Sequence, residues 1–207
     1  MPTIIASDTS PRDVYFLMTS LVVPRPIAWI STISKEGICN LAPYSHFSNC
    51  SANPPIMLFS STGVKDTLRN IQDTKEFVVN VVTHELRHQM RITSASWPSE
   101  TDEITKAGLT TADSRFVRPP RVRQAKASIE CKLREIIPMG AGYVVFGDVQ
   151  CFHIADEVMT NGRVTAELLR PVGKLDASNY TTVNAVERLD LPAELTREVA
   201  DFDKAHR

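Results

Sequence analysis

Residues Val23–Asn80 read VPRPIAWISTISKEGICNLAPYSHFSNCSANPPIMLFSSTGVKDTLRNIQDTKEFVVN. Ile27–Ile33 is rich in β-branched and aromatic residues and predicts a strand. Lys35-Glu36-Gly37 forms a turn that sends the chain back through a second strand-like run, Ile38–Phe47. Pro54-Pro55 excludes helix and leads into Ile56-Met57-Leu58-Phe59, a buried strand. Ser60-Ser61-Thr62-Gly63-Val64-Lys65-Asp66-Thr67 then opens a helix over 65–74 that offers Leu68 and Ile71 to the core. Glu76–Val82, rich in Val and Phe, predicts the next strand.

Outward from this segment, Ser10-Pro11 with Asp13 in the first turn predicts a helix from there to about Leu21, ending before Pro24. Helical segments are expected at about His84–Thr93 and Thr101–Ala107. Two long strands are expected at Val122–Glu135 and Tyr143–Ile154, joined around Pro138–Gly142. The tail, about 191–207, places Leu195, Val199 and Phe202 at helical spacing. Strands dominate and helices fall between hairpins, without regular βα alternation. The pattern argues for a mainly β fold, an antiparallel barrel with helical insertions, and against a doubly wound parallel sheet. A single domain over 1–207 is expected, with its core at about 14–181.

The chain has 207 residues, 43% hydrophobic, with a formal charge of −1. That content argues against disorder, and the charge argues against a nucleic-acid or anionic-membrane partner. The local run Arg115, Arg118, Arg121, Arg123 and Lys126 reads as a solvated rim. No secretory signal and no bilayer-spanning run is visible, so a cytoplasmic location is expected. Of four cysteines, none is in a Cys-x-x-Cys pair; Cys131 and Cys151 read as small core residues and Cys50 as a loop residue.

Three constellations could carry chemistry. At Ser60–Asn70, hydroxyls of Ser60, Ser61 and Thr62, the Lys65 cation and Thr67 in the first helical turn suit a phosphate monoester, with Gly63 allowing close approach. An ordinary capped helix is the alternative. At Asn40–Phe47, Pro43 interrupts a strand, forcing an edge or bulge with unpaired backbone groups beside Ala42 and Ser45. Those groups suit the polar edge of a flat heterocycle; a simple strand irregularity is the alternative. His84-Glu85-Leu86-Arg87-His88 spells H-E-x-x-H, a zinc-hydrolase signature. It follows a strand immediately and carries Arg87 beside the second histidine, so a solvent-facing helix is expected and no metal. His153 at a strand end and Tyr180 in an irregular stretch read as structural, and no triad or paired carboxylates stand out.

Taken in order, Arg25–Thr32, Gly37, Asn40–Phe47, Asn53-Pro54-Pro55, Ser60, Lys65-Asp66-Thr67 with Asn70-Ile71, and Phe77–Asn80 resemble the flavin reductase-like, FMN-binding split-barrel family. Gly108-Leu109-Thr110, Pro119–Val122, Glu130–Leu133, Gly147-Asp148-Val149, His153, and Pro171–Leu175 leading to Tyr180 extend the resemblance. It covers roughly 14–181. It implies a split β-barrel and a homodimer holding FMN, with FAD as an alternative, between subunits. Ser31 and Thr32 would face the flavin or ribityl chain. Asn40, Ala42, Pro43 and Ser45 would line the ring, and Ser60, Lys65 and Thr67 would hold the phosphate. His153 and Tyr180 would approach the site, from the same or from the second subunit. No catalytic side chain is implied, because flavin N5 accepts the hydride and the protein binds and orients. The implied activity is an NADH- or NADPH-dependent flavin reductase, feeding a monooxygenase component or other redox partner. The alternative is a flavoredoxin-like FMN-binding electron carrier. Lys174 and Asp176 depart from the family's frequent arginine and glycine.

Overall fold

A computed structural model describes residues 1–196 of the chain. Helix α1 (Pro11–Leu21) starts where expected, with the Ser10 hydroxyl accepting the Asp13 N–H. Strand β1 (Arg25–Pro26) precedes β2 (Ala28–Ile33), β3 (Cys39–Tyr44), β4 (Phe47–Ala52) and β5 (Pro55–Ser61). Helix α2 (Asp66–Thr74) follows, then β6 (Glu76–Val81), α3 (Arg87–Thr93) and α4 (Glu103–Lys106). A short pair, β7 (Thr111–Ala112) with β8 (Arg121–Val122), leads to the two longest strands, β9 (Ala127–Met139) and β10 (Gly142–Ile154). A second short pair, β11 (Met159–Thr160) with β12 (Arg163–Val164), then α5 (Ala166–Leu169), β13 (Val172–Lys174) and β14 (Tyr180–Thr182) complete the labelled elements.

The main sheet has seven strands in the order β3-β2-β6-β9-β10-β5-β4, and every neighbouring pair is antiparallel. This is the mainly β split barrel expected from the sequence. Strand β2 is covered on both faces, which is why four of its six residues are apolar and its two polar ones, Ser31 and Thr32, are hydrogen-bonded. Ala28 and Ile30 enter one core cluster with Tyr44, Phe59, Leu68, Ile71, Phe77, Val79 and Val145. Trp29 and Leu41 enter the other, with Leu86, Met90 and Ile104 from the helical insertions. The Trp29 indole N–H donates to the Thr93 hydroxyl at 2.8 Å, which lets this polar handle be fully buried.

Two strand boundaries differ from expectation. The run Ile38–Phe47 breaks at Ser45-His46, and Phe47–Ala52 is a separate strand at the sheet edge. Its sequence, Phe-Ser-Asn-Cys-Ser-Ala, has no apolar alternation because the edge is largely exposed, and Cys50 belongs to it rather than to a loop. Pro138 lies inside β9, opposite Tyr143, so the connection to β10 is the two-residue turn Gly140-Ala141. Of the expected C-terminal helix, residues 193–196 are helical; Val199 and Phe202 lie outside the described residues.

Gly147 interrupts the β9–β10 register at a bulge. A Cβ there would lie 2.4 Å from Phe77 Cζ and 3.1 Å from Cys131 Cβ, both in the barrel interior. Gly147→Ala is therefore expected to destabilise the fold by about 1–3 kcal/mol. Thermal melting should show a lowered midpoint, partly restored by adding Phe77→Leu; an unchanged midpoint would mean the interior is looser than described.

Candidate functional site

The barrel is split where β3 ends. Only β2 pairs with β3, so alternate backbone groups of β3 point off the sheet. Leu41 is one of these: its N–H goes to the Glu103 carboxylate at 3.1 Å instead of to a strand. Pro43, two residues on, has no N–H to satisfy. The chain then swings through Ser45-His46 and re-enters the sheet at its far edge as β4. A backbone bond, Ser60 N–H to His46 carbonyl at 2.8 Å, links the two sides. The Tyr44 ring packs on Phe59 at 4.8 Å between centroids and closes the interior beneath.

A cavity of about 540 Å³ occupies this split. One wall is Asn40 and Ala42–His46. The second is Ser60, Thr62 and Val64–Thr67, with Arg69. The third is Thr93–Ser99 after α3, and Tyr15 of α1 borders the opening.

The second wall contains the start of α2. Its cap residue is Lys65, in an extended conformation and with no side-chain hydrogen bond to the helix. No serine or threonine cap satisfies the first-turn N–H groups, which is unlike the ordinary capped helix. Gly63, with φ at 87°, makes the turn that brings Lys65 there. Asp66 is engaged by Arg69 and does not neutralise Lys65 directly. The Thr67 hydroxyl, 1% exposed, donates to Asn40 Oδ1 at 3.4 Å and so ties the second wall to the first.

Asn40 is 6% exposed, and its Nδ2 is a buried donor without a protein partner. Such a group costs about 1–3 kcal/mol unless something accepts from it. Arg25, also buried, donates to the carbonyls of Thr19, Val22 and Leu175 and reaches Ser45 Oγ at 3.5 Å. It thereby fixes the corner at Ser45. Burial, with the Arg25 charge, pushes the His46 imidazole below its usual range, so it is neutral at pH 7. Burial pushes the Glu103 carboxyl in the opposite sense, up to about 7.

Seven of the residues singled out by sequence meet in this cavity: Asn40, Ala42, Pro43, Ser45, Ser60, Lys65 and Thr67. Three do not. Ser31 is fully buried and turned to the other face of β2, where its hydroxyl donates to the Pro120 carbonyl at 2.6 Å and accepts from Asn80. Thr32, opposite Asn40 on β2, accepts from Asn70 Nδ2 at 3.0 Å and pins α2 behind the cavity wall. His153 lies on β10, with Nε2 2.6 Å from the buried Glu130 carboxylate. Burial alone would raise the Glu130 carboxyl, but the N–H donors of Arg115 and Phe116, both at 2.6 Å, together with His153 hold it below the usual range. Tyr180 lines a smaller adjoining cavity of about 220 Å³, shared with Pro43, Ser45 and Lys174.

The H-E-x-x-H run is not a single helical face. His84 and Glu85 belong to a 3₁₀ turn before α3. His84 Nδ1 lies 3.1 Å from the Thr182 hydroxyl, and Glu85 pairs with Arg170 at 3.0 Å. Among the described residues, the potential ligands that converge are Glu130, Cys151 and His153, where both Glu130 oxygens are already engaged. Sequence reasoning missed Tyr15, the Ser94–Ser99 loop, Arg69 and Glu103 as cavity-lining groups. The signal available for Glu103 was its position directly after the helix-capping Asp102.

The flavin reductase like domain model matches residues 18–169. A protein from Aquifex aeolicus is 42% identical over 182 residues, covering 85% of this chain and 93% of its own. Nitrilotriacetate monooxygenase component B from Bacillus cereus is 34% identical, with a TM-score of 0.87 over 92% of this chain and 98% of that one. The 2-nitrobenzoate 2-nitroreductase NbaA from Pseudomonas fluorescens is 31% identical, with a TM-score of 0.86 over 93% and 97%. With the split barrel and its cavity on these grounds, the chain belongs to the flavin reductase-like family of split-barrel flavoproteins.

Proposed function

We propose that this chain is an FMN-binding, NADH- or NADPH-dependent flavin reductase that works as a homodimer of single-domain subunits and supplies reduced flavin to a partner monooxygenase. The observation that carries this reading is the cavity at the barrel split. At one end it offers an uncapped helix start beside Lys65, and along one wall the unpartnered Asn40 amide. An anion with polar groups along a flat body answers both needs. The resemblance to a monooxygenase component B supports the partner.

Ser60, Lys65 and Thr67 would hold the phosphate. Asn40, Ala42, Pro43 and Ser45 would line the ring. Bound flavin supplies two-electron acceptance from a reduced nicotinamide. The chain's own part is to bind, orient and exclude water. Small side chains at Ala42 and Ser45 leave room on that wall, and Arg25 holds Ser45 in place. His46, kept neutral, adds no second positive charge at the corner.

Purified protein reconstituted with FMN should show a bound-flavin absorption spectrum that NADH or NADPH bleaches anaerobically, with repeated turnover when free FMN and oxygen are added. Reduction by dithionite but by neither nucleotide would favour an electron carrier instead. Lys65→Ala should weaken FMN about 10–100-fold, the worth of one charge-assisted hydrogen bond, and leave riboflavin nearly unchanged. Equal losses for both ligands would remove Lys65 from the phosphate end. Light scattering should give the mass of two chains; a monomer that still holds FMN tightly would contradict the dimer.

A further inference from the structure

Glu103 is a carboxyl that the proposed reading does not use, although it lines the same cavity. It is 7% exposed, on the first turn of α4. Its carboxylate accepts the Leu41 N–H, one of the backbone donors that the barrel split leaves without a strand. The adjacent residue, Asn40, presents the unpartnered amide. An acid that lines a cavity taking an anion needs a reason, and removing the Leu41 bond would leave a buried N–H unsatisfied.

We propose that Glu103 is a positioning residue that holds the free edge of β3, and with it the Asn40 amide, and that couples anion binding in the cavity to uptake of one proton by its carboxyl. The coupling rests on the flavin-binding reading; the edge-holding does not. Both states of the group can perform the first task, because a carboxylate and the carbonyl oxygen of a carboxylic acid each accept an N–H. They differ in the second, because only the protonated state adds no charge beside the bound anion.

The surroundings favour the protonated state. Burial is the largest influence, and Asp66 and Asp102 add negative charge nearby. Asp102, on the same helix, is committed to the N–H groups of Ile104 and Thr105. From α2, Asp66 is paired with Arg69, and both line the cavity with Glu103. Cys39 on β3 is held in its thiol form by burial and by the two acids of α4. Glu100 shares a neighbouring cavity with Glu103. Lys65, the neutral His46 and Thr93 of α3 also line the main cavity. With the carboxyl raised to about 7, ionisation occurs as pH climbs through neutrality, so anion affinity should fall over that window.

Two measurements test this. In ligand-free protein, the Leu41 amide resonance should titrate with a midpoint near neutral pH in the wild type and stay flat in Glu103→Gln. In Glu103→Ala, Leu41 should exchange its proton faster. In FMN titrations, the ratio of wild-type to Glu103→Gln affinity should fall roughly tenfold between about pH 6 and pH 8. Taking the ratio cancels the ligand phosphate's own titration. Glu103→Ala should bind more weakly at every pH, and Glu103→Gln should keep the low-pH affinity. A Leu41 resonance insensitive to pH and to both variants overturns the positioning role. A constant affinity ratio, with FMN still bound, overturns the coupling alone. Failure to bind FMN at any pH overturns the flavin reading and the coupling with it, while the Leu41 titration still decides the positioning role.

Discussion

The architecture depends on the free edge of β3, where backbone hydrogen bonding cannot continue. In a closed barrel, every strand is paired on both sides and the interior is sealed. Here Pro43 removes one donor from the edge, and the Glu103 side chain replaces a strand for the other at Leu41. The chain therefore leaves one edge of the sheet at Ser45-His46 and joins the opposite edge as β4. The gap is bridged by a backbone bond, by the Thr67 hydroxyl on Asn40 and by Tyr44 packed at a tilt on Phe59. A cavity that includes the free edge of β3 and one helix start among its walls is the direct consequence of that unfinished closure.

Everything around the gap holds its walls at a fixed separation. Trp29 anchors β2 to α3 through Thr93, and α3 is followed by the loop that forms the third wall. Thr32 and Asn70 tie α2 to the sheet, so the start of α2 cannot drift from Asn40. Arg25 gathers carbonyls from α1 and from the segment after β13 and keeps the corner at Ser45. On the other face of the sheet, Ser31, Asn80 and Ser128 form a buried polar network with the Pro120–Val122 segment. That network belongs to structure, and its distance from the cavity follows from the alternation of side chains across β2.

Much of this was legible in the sequence, for identifiable reasons. The apolar runs of β2 and β6 and the capped start of α1 are local signals and were found at nearly their observed limits. Pro43 signalled the interruption correctly, because a missing N–H is a property of the residue itself. The exposed polar strand β4 was hidden, since an edge strand has no buried face to impose alternation. Ser31 and Thr32 were assigned together, although neighbours on a strand face opposite ways and neither reaches the cavity. No sequence pattern places Glu103 or the Ser94–Ser99 loop at the site, because α3 and α4 bring them to it from far along the chain. His153 is held on β10 by a buried carboxylate, Glu130, through a contact no sequence pattern announces.

The most direct test of the central claim is the map of backbone amide shift changes when FMN is added to the protein. The account predicts the largest changes at Asn40–His46 and at Lys65–Thr67, on the two sides of the barrel split, and none at Ser31, which is buried on the other face of β2. Changes centred away from the split, with residues 40–46 and 65–67 unmoved, would contradict it.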